Sequence, residues 1–224
     1  MINEMQLKGV YEEKAKRTKL YTKNLAPGKV VYDEKLVKEQ GIEFREWNPR
    51  KSKLAAAIIK GLSQIGIKDG YTVLYLGAAS GTTVSHVSDI VNKNGFVFAV
   101  EFSLRSIRDL VFVAEQRKNI APILADAKDI TSLSRRISLV DAVYQDIAQK
   151  NQAEIFIKNC NAFLKEDGFG ILCVKARSID VAKKPSFIYG EVRRKLEQHL
   201  VIVDSRTLDP FELDHCVFVV KKRK

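Results

Sequence analysis

One segment constrains this chain more than any other. The apolar run Thr72-Val73-Leu74-Tyr75-Leu76 stops at Gly77-Ala78-Ala79-Ser80-Gly81-Thr82-Thr83, after which Val84, Val87, Ile90 and Val91 recur at helical spacing. A second apolar run, Phe96 to Val100, ends on an acid, Glu101. Strand, small-residue loop, helix and acid-tipped strand form the entrance to a nucleotide-type cofactor site in an open α/β sheet. The acid suits a ribose, whose two hydroxyls can both donate to one carboxylate. The alternative for Glu101 is a surface acid that merely follows a strand.

The rest of the chain repeats the unit. Strands are expected at 72–76, 96–100, 121–125, 139–144 and 168–175, separated by helix-length segments, so a parallel sheet with helices on both faces is implied. Two further strands, 200–204 and 216–220, are joined by about a dozen residues holding Asp209-Pro210 and no helix signal. So short a connection requires them to pair antiparallel. A mostly parallel sheet closed by an antiparallel strand is unusual for a dinucleotide dehydrogenase and suits a Rossmann-like class I S-adenosylmethionine-dependent methyltransferase. Upstream, residues 1–47 read as a small β-rich N-terminal domain with short strands at 19–22 and 29–32, and residues 48–224 as the methyltransferase domain. Asn48-Pro49 reads as a helix start, followed by Leu54, Ile58, Leu62 and Ile65 at helical spacing.

The loop also bears on the cofactor. Gly77-Ala78-Ala79-Ser80-Gly81 has alanine where a G-x-G-x-x-G loop has the glycine that admits a pyrophosphate, which weakens an NAD reading. S-adenosyl-L-methionine has no phosphate. It needs a close-approaching loop, which Gly77, Ala79, Gly81, Thr82 and Thr83 can form, and an acid for the ribose, Glu101. A polar group for adenine is available at Asp126-Ala127, where Asp126 reads equally as a helix cap. Four more polar residues fall at the ends of elements along the same sheet edge: Lys53, Asp146, Lys175 and His215.

Charge and cysteines bound the setting. With 38 Lys and Arg against 27 Asp and Glu, the formal net charge of +11 fits a polyanionic partner, most plausibly nucleic acid, or else a solvated Lys/Glu-rich surface. The basic tail, 221–224, reads as a frayed, solubilising end. Cys160, Cys173 and Cys216 show no close pairing and are expected to be buried free thiols of an intracellular protein, with no metal. No membrane-length apolar run is visible, and no membrane partner is expected.

Four segments together resemble fibrillarin: 48–56 (Asn-Pro-Arg-Lys-Ser-Lys-Leu-Ala-Ala), 75–83 (Tyr-Leu-Gly-Ala-Ala-Ser-Gly-Thr-Thr), 143–149 (Val-Tyr-Gln-Asp-Ile-Ala-Gln), and Asp209-Pro210-Phe211 with Asp214-His215. The resemblance covers nearly the whole chain and, without a Gly/Arg-rich N-terminal region, points to the archaeal form. It implies an RNA ribose 2′-O-methyltransferase acting on rRNA, and on tRNA as well, in box C/D guide ribonucleoproteins. Its partners would be guide and substrate RNA, a Nop-family scaffold protein and a kink-turn-binding protein, in the cytoplasm of an archaeal cell. The family's Lys-Asp-Lys-His tetrad falls on Lys53, Asp146, Lys175 and His215. Its cofactor contacts fall on Thr82, Thr83, Glu101, Phe102, Asp126, Ala127, Asp146 and Gln149. The competing readings are a protein (glutamine) methyltransferase and a non-catalytic assembly subunit.

Overall fold

The computed structural model describes residues 1–223. It begins with strands β1 (Ile2–Glu4), β2 (Tyr11–Glu13), β3 (Lys19–Lys23), β4 (Leu36–Glu39) and β5 (Ile42–Trp47). These form an antiparallel sheet in the order β1-β2-β3-β5-β4. The expected strand at 29–32 is absent. The backbone N–H groups of Val31 and Tyr32 donate instead to the Glu34 carboxylate, at 2.9 and 2.7 Å. A segment whose donors are captured locally cannot also form a ladder.

The helix read from Asn48-Pro49 starts later. Those residues make a turn in which the Asn48 side chain accepts from Arg50 N. Helix α1 (Lys53–Ile59) is capped by Ser52, whose hydroxyl accepts from Ala55 N. It ends before Gly61, which has φ +83°, so Leu62 and Ile65 are buried but not helical.

The alternating region follows: β6 (Thr72–Leu76), α2 (Thr82–Val91), β7 (Phe96–Glu101), α3 (Leu104–Gln116), β8 (Ile120–Leu124), α4 (Ile130–Ser134), β9 (Val140–Gln145), α5 (Gln152–Phe163), β10 (Leu164–Lys175), α6 (Ala176–Ile179), α7 (Pro185–His199), β11 (Leu200–Thr207) and β12 (His215–Lys222). The seven-stranded sheet has the order β11-β12-β10-β9-β6-β7-β8, with β12 antiparallel to both neighbours. Alternate strand residues feed two cores, which is why the strands read as unbroken apolar runs. Val73, Tyr75, Ala99, Tyr144 and Val217 face α1, α2 and the N-terminal sheet. Leu74, Leu76, Val143, Leu172 and Phe218 face α5 and α7. The basic tail is tied down for most of its length: Lys222 Nζ donates to the Leu164 carbonyl and Lys221 pairs with Asp167. Lys224 lies outside the described residues. All three cysteines are buried and free. Among the described residues no helix is long and apolar enough to cross a membrane.

A buried charge network joins the N-terminal sheet to α2, and nothing in the sequence advertised it. Arg45 on β5 donates to Glu34 (2.7 Å) and to Asp89 on α2 (2.8 Å), and Arg117 donates to Asp89 from the other side (2.5 Å). All four side chains are essentially solvent-free. Two cations and two anions cancel, so the excess of +11 is carried by the remaining residues.

His86 lies in the same layer, stacked on Trp47 at 4.9 Å. Thr22 donates its single hydroxyl proton to Asp89, so His86 must donate Nδ1–H to Thr22 Oγ1 (2.8 Å) and accept from Tyr32 at Nε2 (2.6 Å). Burial first, then Arg45 and Arg117, hold its pKa well below the ordinary 6.5. The unfolded chain therefore binds a proton here that the folded chain refuses, and stability must fall as pH drops below 6.5. Glu34 acts in the same direction at lower pH: burial opposes its charge, but Arg45 and three backbone N–H groups hold its pKa below 4.5. The urea midpoint should drop between pH 7 and pH 5, with His86 contributing up to about 1.4 kcal/mol per pH unit. A flat midpoint over that range would contradict the assignment of a neutral, proton-refusing His86.

Candidate active site

Strand register brings the site together. Leu76 lies opposite Val100 on one side and Gln145 on the other, and Gln145 lies opposite Leu172. Gly77, Glu101 and Asp146 therefore leave the sheet side by side, with Lys175 at the end of the next strand. The order β8-β7-β6-β9-β10 reverses direction at β6, and the crevice at such a switch point is where open α/β sheets hold ligands.

The loop after β6 is held by its own backbone. Gly77 N and Ala78 N both donate to the Val100 carbonyl, at 2.9 and 3.0 Å. Gly77 has φ +84°, and a Cβ there would sit 2.3 Å from the Asp146 carbonyl oxygen. Ala79 is left-handed at φ +47°, a conformation that costs a non-glycine residue about 1–3 kcal/mol. Its N–H donates to Glu101 Oε2 (2.7 Å), while Glu101 Oε1 accepts from Ser103 N (2.7 Å). Glu101 thus fixes the loop and the start of α3 at once. Gly81, also left-handed, caps α2.

Gly77→Ala should weaken cofactor binding at least tenfold by calorimetry and lower the melting temperature. Gly41→Ala, where φ is +78° with open space around it, separates backbone strain from collision. Equal effects at the two positions would show that the close approach to Asp146 is unimportant.

A cleft of about 280 Å³ opens beside this loop. It gathers Gly77, Ala79, Glu101, Phe102, Asp126, Ala127, Asp146 and Gln149 from the expected residues. Gly81, Thr82 and Thr83 are not on its wall; they form the turn into α2, and Thr83 Oγ1 donates to Ser52 Oγ (3.0 Å). Sequence reasoning missed the lining residues Val100, Ala125, Ile147 and Ala148, whose only signal is that they adjoin strand ends. Asp126 accepts from Lys128 N, and the helix cap of α4 is Asp129. Phe102 is 73% exposed at the cleft mouth. A larger cavity, about 680 Å³, lies between the N-terminal sheet and the far end of α2. It contains none of the strand C-terminal ends of the seven-stranded sheet, so the smaller cleft is the better candidate on chemical grounds.

The tetrad residues divide into three arrangements. Lys53 Nζ donates to both carboxylate oxygens of Asp146, at 2.8 Å each. Burial opposes the Lys53 charge, but Asp146, with Glu212 adding to it, raises its pKa overall. Lys53 is therefore an ammonium at neutral pH. Lys175 is exposed at the end of β10, directly opposite His215 in the antiparallel register. His215 is buried and its Nδ1 bonds to the Leu213 carbonyl (2.7 Å), so it anchors the strand entry, and Lys53 is what holds Asp146.

A floor of aromatic and polar groups underlies the pair. Tyr75 and Tyr144 stack at 4.4 Å, and the Tyr144 hydroxyl meets Cys173 Sγ at 3.0 Å. Burial pushes the Cys173 thiol up, leaving it protonated and inert.

The arrangement fits a nucleoside cofactor without phosphates. A glycine-bearing loop packed against the Asp146 backbone adjoins two strand-end acids, Glu101 and Asp126, with an exposed aromatic face at the entrance. The comparisons agree. A family model described as Fibrillarin matches residues 1–224. The fibrillarin-like rRNA/tRNA 2′-O-methyltransferase of Thermococcus onnurineus is 52% identical over 204 residues, covering 91% of this chain and 90% of that protein. The solved Methanococcus jannaschii fibrillarin, a pre-rRNA processing protein, superposes with TM-score 0.95 at 46% identity over 99% of this chain and 97% of its own. Aeropyrum pernix fibrillarin, solved with natively bound S-adenosyl-L-methionine, gives 0.90 at 42% identity over 98% and 97%. A fibrillarin solved in complex with Nop5p gives 0.88 at 40% identity over 98% and 100%. The register, the cleft and these likenesses converge on one assignment: the chain belongs to the fibrillarin family.

Proposed function

We propose that this protein transfers a methyl group from S-adenosyl-L-methionine to the ribose 2′-hydroxyl of rRNA and tRNA. The observation that carries this reading is the Lys53–Asp146 pair at the rim of the cleft, with Lys175 on the adjoining strand end. When bound, S-adenosyl-L-methionine supplies a methyl group already activated by its sulfonium sulfur. The chain's own task is to orient the hydroxyl and receive its proton.

Asp146 is the group placed to accept that proton. Each of its oxygens keeps a lone pair after accepting from Lys53. A carboxylate is a weak base, suited to a proton that departs as the new bond forms and not to one removed beforehand. Lys53, held protonated, fixes the carboxylate and cannot itself be the base. Lys175 offers an ammonium to the charge growing on the ribose oxygen, where one such donor is typically worth about 2.7–4 kcal/mol. Glu101, Phe102, Asp126, Ala127 and Gln149 hold the nucleoside, and Gly77 to Thr83 form its floor and helix entry.

A Nop-family scaffold protein is the expected protein partner, given the likeness to the fibrillarin solved with Nop5p. A guide RNA selects the target nucleotide, and a kink-turn-binding protein joins the complex through that RNA. The positive surface left by the self-cancelling buried charges favours such an assembly, working in the cytoplasm. The test is transfer of a radiolabelled methyl group to guide-paired RNA, with and without the partner proteins, followed by digestion to nucleosides. Label recovered as a 2′-O-methyl nucleoside supports the reading. Label on a base, label on protein, or none in the complete mixture would overturn it.

A further inference from the structure

Beyond the last β9–β10 pair, Gln145 with Leu172, the two strands diverge. Asp146 N still donates to the Leu76 carbonyl of β6, whereas Cys173, Val174 and Lys175 continue along β12. The rim therefore opens between the strand end that carries Asp146 and the one that carries Lys175. One side chain closes the gap. Gln152, the first residue of α5, is fully buried. Its Oε1 accepts from Lys175 N (3.1 Å), and its Nε2 donates to the Gln149 carbonyl (2.9 Å) and, at 3.4 Å, to the Lys175 carbonyl. Its own backbone carbonyl accepts from Gln145 Nε2 (2.7 Å). The side-chain amide fits only one way round, because Lys175 N requires an acceptor and the two carbonyls require a donor.

The Gln152 carboxamide thus takes both the N–H and the C=O of Lys175, as a neighbouring parallel strand would. An apolar side chain of similar size would fill the same space. A buried amide is tolerated only where its partners are present, and it then fixes one geometry. Here the partners are the Lys175 backbone and the loop that runs from Asp146 to Gln149. The Lys175 side chain is itself exposed, so its backbone sets where the ammonium starts. We propose that Gln152 is a positioning residue that sets the spacing between Asp146, which takes the hydroxyl proton, and Lys175, which meets the charge growing on the ribose oxygen. A displacement of about 1 Å between such groups can cost about 10²-fold in rate. The inference rests on the methyl-transfer reading above and adds to it the part that keeps its two halves at one distance.

The test uses the assembled complex with guide-paired RNA. Gln152→Met keeps the length and volume of the side chain and deletes the amide. It should lower kcat about 10- to 100-fold, with KM for RNA and for cofactor within about threefold. Added to Lys175→Ala, it should cost less than about threefold more, because the group it positions is already gone. Gln152→Asn carries the same amide on a stem too short to span the gap, and guards against a misfolded methionine variant. Its kcat should again fall about tenfold or more. In the free protein, the Lys175 amide hydrogen should exchange about tenfold faster in Gln152→Asn than in wild type. An unchanged kcat, a loss confined to KM, losses that multiply with Lys175→Ala, or unaltered exchange at Lys175 overturns the proposal. The two readings fail separately. Robust 2′-O-methylation with an indifferent Gln152 removes only the positioning role. A wild-type complex that methylates nothing removes the proposed function, and the exchange measurement still decides whether Gln152 ties the two strand ends.

Discussion

Asp146→Asn should reduce methyl transfer by about two to four orders of magnitude, the usual worth of a positioned proton acceptor. The amide is nearly isosteric, so the cleft keeps its shape and cofactor affinity should change less than tenfold. Two consequences of the geometry reinforce the loss. Asparagine cannot take up the hydroxyl proton, and it offers one acceptor oxygen where Lys53 now uses two. The raised pKa of Lys53 should also fall, since among the groups that raise it the Asp146 carboxylate is the principal one. Single-turnover assays in the complete complex, at saturating cofactor, isolate the chemical step. Activity within threefold of wild type would dismiss Asp146 as the acceptor and leave the pair a purely structural tie.

Arg45→Ala should destabilise the protein by about 3–5 kcal/mol, the range seen when one partner of a buried ion pair is removed. Glu34 and Asp89 would keep their charges in a layer without solvent, and of the two arginines beside it Asp89 would retain only Arg117. For comparison, Lys195 and Glu154 form an exposed pair, and Lys195→Ala should cost less than about 1 kcal/mol. Denaturant unfolding followed by circular dichroism measures both. Similar small losses for the two variants would mean that the network contributes little beyond a surface pair. Arg45→Met should be milder than Ala if packing of the stem matters alongside the charge.

The parallel strands are legible in the sequence because each is apolar on both faces, and the antiparallel ending because its connection is too short for a crossover. Glu101, Asp126 and Asp146 are legible for a related reason: each interrupts or follows an apolar run at the same edge. Lys53 and His215 are legible only through their joint placement with Asp146 and Lys175 at one sheet edge, since a lysine at a helix start and a histidine at a strand start are individually unremarkable. Helix α1 began late because Asn48 satisfies its own turn and Ser52 takes the cap, a competition between two good capping residues that local pattern does not decide. The segment 29–32 has strand-like composition, yet Glu34 captures its donors from just beyond it. The charge network was invisible because Arg45 sits in Ile42-Glu43-Phe44-Arg45-Glu46-Trp47, where alternation suggests a wet face. Only the packing of β5 against α2 shows that this face is dry.

Helix α2 therefore has two allegiances. Its first turn receives the glycine-rich loop, while Ser85, His86 and Asp89 are bolted to the amino-terminal strands. A gene shortened to begin at Lys53 would strand Asp89 against Arg117 and bare the apolar flank of the very helix that shapes the nucleoside seat. Such a fragment should emerge from expression as aggregate, which makes the first fifty residues a foundation of the enzyme and no mere appendage.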